Sequence, residues 1–144
     1  MAGPVVIKPA TTVWTPQFGT ATHKDVPAFV GIMQVMHMEP TASAFARLLS
    51  GQLRAEDEIA LGHLFEEIAT LALHGLVVED LLFDAFAFDH YWDELRESVL
   101  AIRERTGNAK FGENFEIAAG LARAYREARP PKVSASASAS TSRN

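Results

Sequence analysis

Cysteine is absent from the chain, so disulfides, thiolate catalysis and cysteine-ligated zinc are excluded. Long apolar runs are missing as well. The longest, residues 26–38, is interrupted by Gln34 and His37, and a bilayer span needs ~20 consecutive apolar residues. Residues 1–14 carry Pro4 and Pro9 and lack the apolar centre of a secretory signal. These absences predict a soluble, cytoplasmic protein with no membrane partner. Lysine and arginine are missing from one long stretch. Residues 55–95 hold eleven carboxylates and neither cation, whereas residues 96–132 hold eight basic and five acidic side chains. Contacts to phosphate need cations, so no direct nucleic-acid partner is expected through the acidic stretch. Catalytic signatures are missing too. None of Ser43, Ser50 and Ser98 sits in a Gly-x-Ser-x-Gly elbow. No Gly-x-x-x-x-Gly-Lys loop is present to cradle phosphates.

What the chain does have is helical periodicity. Its 144 residues fit one domain, long enough to bury a core without a metal or disulfide staple. A loose leader at 1–13, a helical domain at 14–128 and a disordered tail at 129–144 are the expected divisions. Pro130 and Pro131 stop any helix, and the SASASASTSRN tract that ends the chain buries too little to offset its ordering entropy.

Asp25 suits an N-cap and Pro27 a first turn, with Phe29, Val30, Met33 and Met36 on one face. A short helix follows at 41–50, with Phe45, Leu48 and Leu49 inward and Gly51 as its stop. The third helix, 56–74, begins with three acidic residues that complement its dipole. It carries a stripe of Leu61, Leu64, Phe65, Ile68, Leu71 and Ala72, and Gly75 suits its left-handed cap. The fourth helix is expected to run unbroken from 79 to 106, with Gly107 as its cap. Val78, Leu81, Ala85, Phe88, Trp92, Leu95, Val99 and Ile102 recur at spacings of three and four, a 3.5-residue period. A short link joins it to the third helix, and short links join antiparallel neighbours. A fifth helix at 112–128 presents Phe111, Phe115, Ala118, Ala122 and Tyr125. The expected fold is all-α: a small bundle on a long antiparallel helical hairpin, with N-terminal helices packed across it.

Residues 55–125 resemble the bacterial domain-of-unknown-function family 4760. The residues that carry the likeness are HLFEEIATLALHGLVVEDLLFDAF, YWDELRESVLAIRERTGN and FGENFEIAAGL. Trp14-Thr-Pro-Gln-Phe18 is similar to the short lead-in of that domain. The resemblance implies the helical fold and brings no established activity or site. Members often carry N-terminal membrane helices, which this chain lacks, and the basic residues usual after the lead-in are replaced by Gly19-Thr20-Ala21-Thr22.

Several constellations invite chemistry. His63, Glu67, Thr70 and His74 share one stripe of the third helix, and His90 and Asp93 form a short pair on the fourth. Imidazole with carboxylate suits zinc or iron. No histidine, however, has Asp or Glu three residues before it, so the Glu-x-x-His of di-iron bundles is missing. The His-Glu-x-x-His of metalloproteases is missing too. A solvated polar face is the simpler reading, and no catalytic residue, metal ligand or cofactor is assigned. Glu116 suits a first-turn dipole partner or a salt bridge to arginine. Met33, Met36 and Met38 suit core filling before a promiscuous binding surface. Trp92 falls on the seam, and its neighbour Tyr91 must point elsewhere, toward another subunit or the N-terminal segment.

Three functions follow. The leading one is a non-enzymatic interaction module for an unknown protein partner, self-associating as a homodimer. It rests on the long amphipathic helices, the uneven charge and the missing catalytic set. Leu82, Phe83, Phe86 and Leu100 form a second apolar edge on the fourth helix, and Ile59 and Leu73 lie off the main stripe of the third. Such patches mark interfaces. The surface assigned to interaction comprises Glu66, Glu67, Asp80, Asp84, Phe83, Phe86 and Tyr91. The second function is a small-molecule or metal-dependent activity between helices, using His63, Glu67 or Glu116. The third is an acidic decoy of a nucleic-acid-binding protein, which requires the 55–95 carboxylates to form one exposed array.

Overall fold

The apolar stripes close on one another in a computed structural model that describes residue 16 and residues 18–130. The leader at 1–13, Trp14 and most of the expected tail lie outside the described residues. A 3-10 turn at His23–Asp25 leads into six helices: α1 Val26–His37, α2 Thr41–Ser50, α3 Ala55–Leu73, α4 Glu79–Ala85, α5 Phe88–Thr106 and α6 Glu113–Ala128. No strand occurs among the described residues, so the all-α bundle is confirmed. No helix among them is long and apolar enough to cross a membrane. Gly51, Gly75 and Gly107 take left-handed φ at the expected stops.

α3 and α5 run antiparallel as the two arms of the hairpin. Near one end Ser98 donates to Glu58, and farther along Phe65 meets Phe88 and Tyr91. α6 packs along both arms, burying Phe115, Ala118, Ala119, Ala122 and Tyr125. Its three alanines let it approach both arms closely. Gly112, just before α6, has φ 69°, and a Cβ there would lie 2.9 Å from Val99 Cγ1. Glycine is therefore required twice over, by the backbone conformation and by the close approach. Arg103 fastens this corner, donating to Phe111 O at 2.6 Å and to Glu116 at 2.9 Å.

The fourth helix is not continuous, which corrects the long unbroken arm. It breaks at Phe86 and Ala87, where Phe88 N donates to Phe86 O and Ala87 has φ −83° and ψ 68°. That is the geometry of an inverse γ-turn. No proline or glycine causes the break, so packing does. Phe83 and Phe88 are five residues apart, which sets them about 140° apart on one helix. The break lets both face one core, each 1% exposed. On α5 the seam holds through Phe88, Trp92, Leu95 and Val99. On α4 Leu82 and Phe83 are buried instead, while Ala85 is exposed.

Three inward assignments also change, and Leu71 of the α3 stripe is one of them, 40% exposed. Leu49 is 59% exposed, because α2 turns Ala44 and Leu48 to the core. On α1 the buried positions are Ile32 and Met36, with Phe29, Val30 and Met33 half-buried.

Trp92 is 7% exposed, edge-on to Phe115 and capped by the Arg103 guanidinium. Trp92→Ala is expected to cost about 3–5 kcal/mol, as large-to-small core truncations do. Urea unfolding measures it, and a midpoint near wild type would refute the seam.

Candidate functional site

The seven residues assigned to interaction do not come together. Phe83 and Tyr91 are 1% and 5% exposed, so neither presents a surface. Tyr91 stacks on Phe65 with centroids 4.9 Å apart, and Phe45 of α2 meets it edge-on at 5.3 Å. It packs between α3 and α2 and is buried. Burial pushes its hydroxyl pKa up. Asp80 is also buried, accepting from Thr20 N at 2.9 Å. Phe86 is half-buried beside Phe29, and Asp84 lies 3.6 Å from Arg129. Glu66 accepts from the backbone amides of Asn114 and Phe115 at 3.3 and 2.7 Å. It thus caps the N-terminus of α6 from a neighbouring helix, where a carboxylate also complements the dipole. Glu67 is an open surface carboxylate, 61% exposed.

The polar stripe of α3 does not assemble a centre either. His63 Nε2 meets Glu67 Oε1 at 2.8 Å. Thr70 is used elsewhere, donating to Glu66 O and accepting from Asn114. Among the described residues no three His, Asp or Glu side chains are placed to hold a metal ion. Glu116 is taken by Arg103. Nor do the acidic residues form one exposed array. Asp57, Asp80 and Asp89 are buried. Asp89 pairs with Arg126, and Asp93 with Arg123.

Asp57 joins α2 to the start of α3. It accepts from Arg47 Nε and Nη2 at 2.6 and 2.7 Å and from Arg54 N at 3.0 Å. The hydrogen bond from Arg47, aided by the Arg54 amide and opposed by burial, lowers its carboxyl pKa to about 2.

An apolar concave feature of the fold lies elsewhere. α1 packs mainly on α2 and stands off α3, leaving a groove of about 340 Å³. Ala28, Gly31, Ile32 and Val35 of α1 form one wall. Leu64, Glu67, Ile68 and Leu71 of α3 form the other, and Leu76 and Val77 close one end. Val35, Leu71 and Leu76 remain 41%, 40% and 59% exposed. Gly31 lies mid-helix, where glycine costs roughly 1 kcal/mol against alanine. A Cβ there would meet nothing within 4 Å. Packing among the described residues therefore gives no reason for it.

Sequence reasoning missed this groove, although one signal was available. α1 has no charged residue unless His37 is protonated, and a helix apolar on every side is either buried or partnered. No family model, no curated protein and no solved structure matches the chain.

Two expectations follow from the polar contacts. Glu66→Ala leaves two helix-end amides without their acceptor and should cost roughly 1–2 kcal/mol. Chemical denaturation checks this, and no loss would mean the cap is inert. For Asp57 the folded-state pKa is depressed. Its contribution is therefore complete above the unfolded carboxyl value and disappears as pH falls through the folded one. Asp57→Asn should lower the melting temperature near neutrality and flatten the loss of stability between about pH 4 and pH 2. Parallel acid profiles for the two proteins would exclude the Arg47 contact as the source.

Proposed function

We propose that the chain is a non-enzymatic protein-interaction module whose docking face is the α1–α3 groove. The observation that supports it most is a set of aliphatic side chains left open in a concavity, Val35, Leu71 and Leu76. Exposed apolar patches of this kind mark interaction sites. Small-molecule pockets also reach this volume, but they add several convergent polar groups. Here Glu67 is the one charged lining residue. The resemblance of residues 55–125 to family 4760 belongs to this reading and adds no activity. So does a cytoplasmic location, with which a cysteine-free chain is compatible.

Self-association was expected from a second apolar edge. Leu82 and Phe83 of that edge are internal, as is Leu73 of the third helix, and Phe86 is half-covered, whereas Leu100 and Ile59 remain 37% and 54% exposed. The homodimer keeps only part of the surface that motivates it, and the groove is the face we favour for a partner. The acidic-decoy reading loses its support because three of its carboxylates are internal.

The test is a neutral helical peptide with leucines at positions i, i+3 and i+7 and glutamine elsewhere, titrated into labelled protein by NMR. Shifts should be confined to α1, α3 and Leu76. Val35→Asp and Leu71→Asp should remove them while changing stability by no more than about 0.5 kcal/mol, as surface substitutions do. Shifts scattered over the protein, or none at all, would sink the groove as a docking face.

A further inference from the structure

We infer that the occupant of the α1–α3 groove is an amphipathic helix of another protein whose apolar edge is flanked by lysine or arginine. This rests on the docking reading above and adds the chemistry of the partner. Helices enter such grooves through anchors spaced three and four residues apart, and Val35, Leu71 and Leu76 offer the open aliphatic surface.

Charge supplies the rest. Glu67 is the one charged residue that lines the groove. One of its oxygens faces His63, and the other has no partner among the described residues. Neither α1 nor α3 contains a lysine or arginine, so apart from the His63 imidazole at one oxygen neither wall supplies Glu67 with a cation, and a basic partner can meet the other oxygen. The same fact argues against a second copy. A two-fold contact sets a patch against itself, which would bring two Glu67 carboxylates to one seam with no lysine or arginine from either wall and one imidazole beside each. Such like-charge pairing is unfavourable. Gly31 adds a steric argument. Its absent Cβ opens onto the groove and serves no internal contact, and glycine is suited to close approach by another backbone.

The experiment uses the full chain and three synthetic helical peptides that share one leucine edge and differ only in flanking lysine, glutamine or glutamate. Affinity is read by fluorescence anisotropy at low and high salt. The lysine peptide should bind about threefold to fivefold tighter than the glutamine peptide for each exposed pair it forms. The glutamate peptide should bind more weakly than either. The order should collapse at about 1 M salt and in Glu67→Gln. Gly31→Leu fills the groove and should abolish binding of all three with a melting temperature equal to or above wild type. Equal binding of the three peptides would overturn the basic partner and leave the docking reading standing. Failure of all three to bind would remove the docking reading itself. A lysine preference that survives Glu67→Gln would place the cations elsewhere on the acidic stretch and overturn the inference. A dimer mass by light scattering, lost in Gly31→Leu, would replace the partner helix with a second copy.

Discussion

The ring of Phe65, midway along α3, meets four other rings. Tyr91 and Phe88 of α5 lie at 4.9 and 5.6 Å, Phe115 of α6 at 5.4 Å and Phe45 of α2 at 6.5 Å. Such pairs contribute about 0.5–1.5 kcal/mol each beyond the area they bury. Their geometry matters more than their sum, because one fully buried ring ties α3 to three other helices. The hairpin, the seat of α6 and the docking of α2 all depend on that ring. α1 depends on it at one remove, since it is carried chiefly by α2. The groove is the gap left between a helix placed by Phe65 directly and one placed through an intermediary.

Electrostatics then makes sense of the segregated charge. The acidic stretch and the basic stretch that follows it meet where α4 and α5 pack on α6 and the residue after it. Asp89 faces Arg126, Asp93 faces Arg123, and Asp84 faces Arg129. Glu66 serves the positive end of α6 instead. Exposed pairs contribute little to stability one by one. Their pattern here runs in one register, with Arg103 to Glu116 at the opposite end of the same two helices. An antiparallel slip of α6 would set all of them wrong together. Part of the charge asymmetry of the sequence is thus consumed inside the molecule, while Glu56, Glu67 and Glu94 remain on the surface.

Much of the architecture was legible before any coordinates. Gly51, Gly75 and Gly107 stop helices because left-handed backbone costs glycine little. The α6 seam reads correctly because its apolar positions form one stripe with no competitor. The fourth helix misled for the opposite reason. Leu82 and Phe83 compete with Leu81 and Ala85 for the inward face, and only tertiary packing decides between them. Tyr91 is buried from outside its own helix, by Phe45, which lies 46 positions earlier in the chain. Glu66 has a role that local pattern cannot reveal, since its partners are 48 and 49 residues away. The groove was the least legible part. It belongs to no element and exists because α1 keeps its distance from α3.

That distance has a physical origin in the composition of α1. Its core contribution is Ile32 and Met36, two side chains one turn apart, whereas α3 buries eight residues along its length. With Ala28 and Gly31 on the side toward α3, α1 has little bulk with which to fill the space between them. Larger residues there would close the groove and add burial, so the small ones forgo stability the chain could have had. Natural proteins depart from local optimality chiefly at functional sites. The deficit on α1 coincides with a concavity that sets open aliphatic side chains beside a carboxylate. That coincidence accounts for Gly31, where a Cβ would meet nothing within 4 Å among the described residues.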